Sequence, residues 1–144
     1  MSEIETAVDT FMGDCNCCQA ILLTYATKLG FDKETALRLG TGFADGMARH
    51  GEVCGAVTGA IMTIGLKLGM EKNGDAKARE KTLELINEFI KKFKDRHIFI
   101  RCNELLGCNI NLQTGREYAN ETDRFKTICP KYVRTAAEIL EEIL

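Results

Sequence analysis

The amino-acid sequence predicts an all-α fold, with a single compact domain of five to seven helices over residues 1–144. Three observations favour this fold class. Apolar residues recur at spacings of three and four along most of the chain, the chain has a single proline, and no pair of strand-like segments is present. A chain of this length buries about two-thirds of its unfolded surface, so it needs no disulfide bonds to fold.

Polar residues and glycines mark the ends of the first three predicted helices. The second helix carries an apolar stripe that includes Cys18, Ile21 and Leu22, so Cys18 is predicted to face the core. Cys17 lies about 100° around the same helix and Cys15 precedes the helix, so neither residue shares that face. The residues that cap or end these helices are Ser2 with Glu5, Gly13, Asp14 or Asn16, Gly30 and Asp32.

The charge-free segment 53–66 predicts the central helix of the domain, with the cysteines gathered at one end of it. The segment is too short to span a bilayer but suits a helix that is buried on nearly every side. Gly55 and Gly59 stand one turn apart within it, each at a cost of about 1 kcal/mol in helix propensity relative to alanine. We therefore expect a neighbouring backbone or a bound cofactor to approach the helix closely at these glycines.

The second half of the chain predicts two more long helices and a less regular region between them. Residues 73–75 introduce a long helix whose apolar stripe ends at His97. A short helix follows at 101–106, and the polar segment 107–127 is predicted to be irregular. The final helix starts at Pro130, because proline favours the first helical position.

Composition predicts a globular protein of the cytoplasm. The 19 basic and 21 acidic residues give a formal net charge of -2, which indicates neither nucleic-acid binding nor insertion into a membrane. The N-terminal residues lack the basic start and apolar core of a secretory signal, and most thiols in the cytoplasm stay reduced. Seven cysteines at uneven spacings disfavour a secreted disulfide framework and favour metal binding or reversible redox chemistry.

Two of the cysteines are predicted to open helices, where free backbone N–H groups stabilise a thiolate. Cys54 opens the central helix, four residues after His50, and Cys129 opens the final helix beside Lys131. Cys102 shares a face of the short helix with two leucines. Cys54 is the predicted most reactive thiol.

The motif CGAVTG at residues 54–59 is the most distinctive pattern in the sequence. It stands with other cysteine-containing segments that span nearly the whole chain, namely NCCQAIL, GEVCGAVTGAIMTIGLKLG, RCNELLG and CPKYVRTAAEIL. Together these segments resemble the C_GCAxxG_C_C family, a family of redox-active proteins of about this length.

The resemblance implies a set of functional cysteines and a cellular setting. The implied functional cysteines are Cys18, Cys54, Cys102 and Cys129. The cysteines without an implied counterpart are Cys15, Cys17 and Cys108. Because many members are encoded near transporter genes, the resemblance also implies an unidentified redox partner and a functional link to membrane transporters.

Three functions remain open for these cysteines. In the first, the four thiols cycle between dithiol and disulfide or transfer electrons, as in a thiol-based oxidoreductase. In the second, the same four thiols hold zinc or an iron–sulfur cluster, with His50 or His97 able to replace a ligand, whereas the first function needs no cofactor. In the third, the cysteines are unreactive buried residues of a helical structural or regulatory protein that acts as a homo-oligomer or as a partner.

Overall fold

Helices make up about 70% of the chain in a computed structural model that describes residues 1–144. In chain order these are α1 (Glu3–Met12), α2 (Cys17–Ile21), α3 (Lys33–Thr41), α4 (Gly55–Leu68), α5 (Ala76–His97), α6 (Cys102–Leu106), α7 (Gln113–Glu121), α8 (Arg124–Thr127) and α9 (Cys129–Ile143). Helix α2 continues through a wider π-type turn, Leu22–Ala26, and a 3-10 turn, Thr27–Leu29. The only extended pairing is one antiparallel bridge between Val53 and Arg101. The predicted all-α class is confirmed.

Local sequence signals set the ends of the first helices as predicted. The Asn16 side chain accepts the backbone N–H of Gln19 at 2.8 Å, and the Gln19 side chain accepts the backbone N–H of Asn16 at 3.0 Å. This reciprocal capping box starts α2 and makes Cys17 its first residue. Gly30 ends the helical segment at φ 89°, which glycine adopts without strain, and Asp32 caps α3.

The core lies where α4 meets α2, α5 and α9. Its fully buried side chains include Ile21, Ile64, Phe89, Phe93, Val133, Ile139 and Leu140. The prediction that the central helix is buried on nearly every side is wrong near its C-terminus, where Leu66 is 42% exposed. None of the helices combines the length and the hydrophobicity that crossing a bilayer requires.

The segment 107–127 corrects a second expectation, because it contains α7 and α8 rather than irregular chain. For this reason the structure has more helices than the predicted five to seven. Helix α7 buries only Ala119, and its N-cap residue, Leu112, has no side chain that could cap a helix. Neither an apolar stripe nor a capping residue therefore marked this helix in the sequence.

Two glycines of α4 allow α2 to pack directly on the α4 backbone. A Cβ atom at Gly55 would lie 2.9 Å from the backbone N of Cys18, and one at Gly59 would lie 3.0 Å from the Cys18 carbonyl oxygen. The close approach predicted at these glycines is thus made by a neighbouring helix and not by a cofactor. At Gly65 of the same helix, an added Cβ would meet no atom within 4 Å.

Candidate functional site

Four helices begin around one cavity, and each begins at a cysteine. Cys17 is the first residue of α2, Cys102 of α6 and Cys129 of α9, while Cys54 is the N-cap residue of α4. The cavity has a volume of about 280 Å³, and its wall also includes Cys15. Backbone N–H groups at a helix start have no partner within the helix and stabilise negative charge. The cavity therefore combines clustered thiols with the backbone groups that favour a thiolate.

A short antiparallel contact ties the start of α4 to the start of α6. The backbone N–H of Cys54 donates to the carbonyl of Ile100 at 2.8 Å, and the backbone N–H of Cys102 donates to the carbonyl of Glu52 at 2.6 Å. These residues are far apart in the sequence, so no local pattern predicts their pairing. The contact holds Cys54 and Cys102 side by side at the cavity wall.

Cys17 packs against the start of α4, where a Cβ atom at Gly55 would lie 3.1 Å from the Cys17 Cβ, and its thiol interacts with the thiols of Cys54 and Cys129. The pKa of Cys54 is lowered, first by the hydrogen bond from Cys17 and then by the N–H groups of Ala56 and Val57, against the opposing effect of burial. The pKa of Cys17 is raised well above that of an ordinary thiol by its contacts with Cys129 and Cys54 and by burial. Of the two thiols, Cys54 is therefore the one that loses its proton more readily.

Burial keeps two further groups of the cavity wall protonated. The pKa of Cys102 is raised, mainly by burial and then by the neighbouring thiols of Cys54 and Cys129. Burial, followed by the same neighbours, raises the pKa of Tyr132 to about 12. The Tyr132 hydroxyl donates a hydrogen bond to the carbonyl of Leu105 at 2.8 Å, which holds its ring in the wall.

The glycine-rich loop that follows α3 lines one side of the cavity with an unusual backbone. Residues 45–49 all have positive φ values, from 49° to 73°. A left-handed backbone costs about 1–2 kcal/mol for each residue other than glycine, so the surrounding structure must hold this segment in place. A Cβ atom at Gly46 would lie 2.7 Å from the Cβ of Cys102, and Asp45 and Arg49 also line the cavity.

Cys18 lies outside the cavity, although the sequence analysis included it among the functional cysteines. Its side chain is fully buried and packs with Leu22, Ala26 and Ala36. Burial raises the pKa of Cys18 to about 11, with a side-chain hydrogen bond to Thr58 opposing the rise. The structure brings together the other three cysteines of that set, and it places Cys17 beside them.

Sequence reasoning missed Cys17 because it used the apolar stripe of α2 as the guide. Cys17 does point away from the face of Cys18, as predicted, but the direction it takes leads to Cys54 and Cys129. The helix-start argument that selected Cys54 would also have selected Cys17, since Asn16 was already a candidate cap. Helix starts were therefore a better guide to the thiol cluster than the apolar stripe.

The two histidines lie away from the thiol cluster. Neither is part of the cavity wall. His97 Nε2 lies 2.8 Å from the Thr135 hydroxyl, and its ring packs edge-on against Tyr132. His50 is exposed in the loop before α4. No group of three or more His, Cys, Asp or Glu side chains is arranged to hold a metal ion, so the geometry gives the metal-binding hypothesis no support.

Fold and site together define an all-α protein with a thiol cavity at the N-terminal end of its central helix. Residues 15–143 match the family model described as "Putative redox-active protein (C_GCAxxG_C_C)". The chain belongs to this family. Searches of curated proteins and of solved structures find no match.

Proposed function

We propose that the protein carries out dithiol–disulfide exchange, with Cys54 as the attacking thiolate and Cys17 as the resolving thiol. The observation that carries this proposal is that Cys17 and Cys54 line the same cavity with their thiols interacting, the Cys17 thiol having a raised pKa and the Cys54 thiol a lowered pKa. A thiol with a lowered pKa supplies the nucleophile, and a second thiol in contact with it completes the exchange. All seven cysteines are free thiols, which is the reduced state from which the exchange starts.

The reaction reduces a small disulfide, RSSR, to two RSH molecules. The Cys54 thiolate attacks one sulfur of RSSR and forms a Cys54–SR mixed disulfide, and the first RS⁻ leaves. The Cys17 thiol transfers its proton to that RS⁻. The Cys17 thiolate then attacks the Cys54 sulfur, which releases the second RS⁻ to take a proton from water and leaves a Cys17–Cys54 disulfide. Two electrons pass from the protein to RSSR.

Two of the other cavity thiols, Cys129 and Cys102, support this pair in different ways. Cys129 also contacts Cys17, so it offers the resolving thiol a second disulfide partner. Cys102 is held as a neutral thiol by burial and by its charged neighbours, so it contributes no competing nucleophile. Cys54 and Cys17 therefore form the reactive pair, and Cys102 stays reduced while they react.

The proposal is tested by reacting the reduced protein with oxidised glutathione and counting the thiols that remain. The wild-type protein should lose two thiols. Cys54→Ala should lose thiols more slowly by roughly tenfold or more, because the attacking thiolate is gone. Cys108→Ala is the matched control, since Cys108 is a partly buried cysteine outside the cavity wall, and it should react at the wild-type rate. An unchanged rate in Cys54→Ala would overturn the proposal.

A further inference from the structure

The proposed reaction leaves its disulfide out of reach of a large reductant. Cys54 is 5% exposed, and Cys102 and Cys129 are each 7% exposed. A protein reductant attacks a disulfide sulfur directly, so it needs a sulfur at the surface. Cys17 is partly exposed as a residue but its thiol is buried, whereas Cys15 lines the same cavity and has a mostly exposed thiol.

Cys15 lies in the turn between α1 and α2, two residues before Cys17. Asn16, the residue between them, has an extended backbone with φ -80° and ψ 174°. In extended chain, side chains two residues apart point to the same side, with Cα atoms about 7 Å apart. A disulfide needs slightly less than this distance. No backbone hydrogen bond holds Cys15, so a small movement of the turn supplies the difference.

We propose that Cys15 is the exchange thiol that carries the disulfide from the buried pair to the protein surface, an inference that rests on the proposed function. The Cys15 thiol loses its proton to water, and its thiolate attacks the Cys17 sulfur. The Cys15–Cys17 bond forms as the Cys17–Cys54 bond breaks, and Cys54 leaves as a thiolate. An external dithiol then attacks Cys15, Cys17 leaves and takes a proton, and the second thiol of the reductant releases Cys15. The reductant becomes a disulfide and supplies two electrons.

The chemistry of the two buried sulfurs favours attack at Cys17. Cys17 is two residues from Cys15 in the chain, so its sulfur is the one that Cys15 reaches first. Attack at Cys17 expels Cys54, and a thiol with a lowered pKa is the better leaving group. The Cys15–Cys17 disulfide closes a very small ring, and strained, exposed disulfides are the ones most easily reduced. This transfer through Cys15, the Cys15 relay, therefore carries electrons from the external dithiol to the buried pair of Cys17 and Cys54.

The inference is tested by alkylating the oxidised protein with iodoacetamide and locating each modified cysteine by mass spectrometry. In the wild-type protein, we expect alkylated Cys54 together with a trapped Cys15–Cys17 disulfide. In oxidised Cys15→Ala, Cys54 should stay in its disulfide, and its alkylation should be slower by roughly tenfold or more. Cys108→Ala is the matched control and should behave as the wild type does.

The outcomes separate this inference from the proposed function. If the oxidised wild-type protein keeps the Cys17–Cys54 bond and is alkylated at Cys15, the relay is wrong and the proposed function stands. If oxidation joins no cavity cysteines in either protein, the proposed function fails and the relay fails with it. Equal alkylation of Cys54 in oxidised wild type and oxidised Cys15→Ala would also overturn the relay.

Discussion

Cys17 and Cys18 are neighbours in the chain and both lie against Gly55 of α4, yet they occupy different environments. The Cys17 thiol lies at the cavity wall and interacts with two other thiols, whereas the Cys18 side chain is fully buried among apolar groups. Consecutive residues of a helix point about 100° apart, so the start of α2 sends one sulfur to the cavity and the other to the core. The comparison shows that reactive and packing roles are divided between adjacent cysteines.

The largest expected difference between the two cysteines is in disulfide formation. Cys17→Ala removes the resolving thiol, so the protein treated with oxidised glutathione should stop at a mixed disulfide on Cys54. Cys18→Ala leaves the cavity intact and should still form an internal disulfide at about the wild-type rate. The products are identified by the mass of the intact protein. If Cys18→Ala kept the mixed disulfide and Cys17→Ala formed the internal disulfide normally, Cys18 and not Cys17 would be the resolving thiol.

The glycines of α4 test whether close packing of α2 is what positions both cysteines. Gly59→Ala forces a Cβ to within 3.0 Å of the Cys18 carbonyl and of Ile21 Cβ, so the free energy of unfolding should fall by about 1–3 kcal/mol. The matched control is Gly65→Ala, which meets open space and should raise that free energy by about 0.5–1 kcal/mol through better helix propensity. Urea titrations measure both values. Equal effects at the two positions would show that α2 does not pack as described.

The buried Cys18 thiol makes stability depend on alkaline pH. Its pKa is near 9.0 in the unfolded chain and about 11 in the fold, so the folded state holds the proton more tightly. That stabilisation is present below pH 9 and is lost as the pH rises through 11. Between pH 8 and pH 11, reduced wild type should therefore lose about 2 kcal/mol more unfolding free energy than reduced Cys18→Ala. Parallel losses in the two proteins, measured by urea titration, would argue against a buried thiol at this position.

The Cys54 thiol should respond to the loss of Cys17 through its pKa. The hydrogen bond from Cys17 is the largest cause of the lowered pKa of Cys54, so Cys17→Ala should move that pKa upward. The pH profile of Cys54 alkylation by iodoacetamide should shift to higher pH, and the rate at neutral pH should fall severalfold. Cys18→Ala should leave the profile in place, because the Cys18 thiol is not among the causes of the lowered pKa of Cys54. A profile that shifts equally in both variants would indicate a general change in the fold.

Local signals in the sequence predicted most of the helices and the position of Cys54 at a helix start. Caps such as Asn16 and Asp32, and the charge-free run of α4, place the helices because each depends on neighbouring residues only. The same reasoning placed Cys54 at a helix start. Helix α7 was missed because it lacks a cap and buries almost nothing.

The remaining part of the site depends on contacts between distant segments. The backbone pairing that brings the starts of α4 and α6 together links residues far apart in the chain, so no periodic pattern in the sequence predicts it. The choice between Cys17 and Cys18 needed the position of α9, because it is Cys129 at the start of α9 that gives Cys17 its second thiol neighbour. An apolar stripe shows which face of a helix packs, and it does not show which face meets a reactive group.

Disulfide mapping of the oxidised protein tests the central claim, which is that Cys17 and not Cys18 is the partner of Cys54. Trypsin leaves Cys17 and Cys18 on one N-terminal peptide and Cys54 on another, so tandem fragmentation between the two neighbours must locate the bond. In oxidised Cys15→Ala, where no Cys15 thiol can move the bond, we predict a crosslink from Cys17 to Cys54, with Cys18 recovered as a free thiol after denaturation. A crosslink from Cys18 to Cys54, with Cys17 free, would contradict the account.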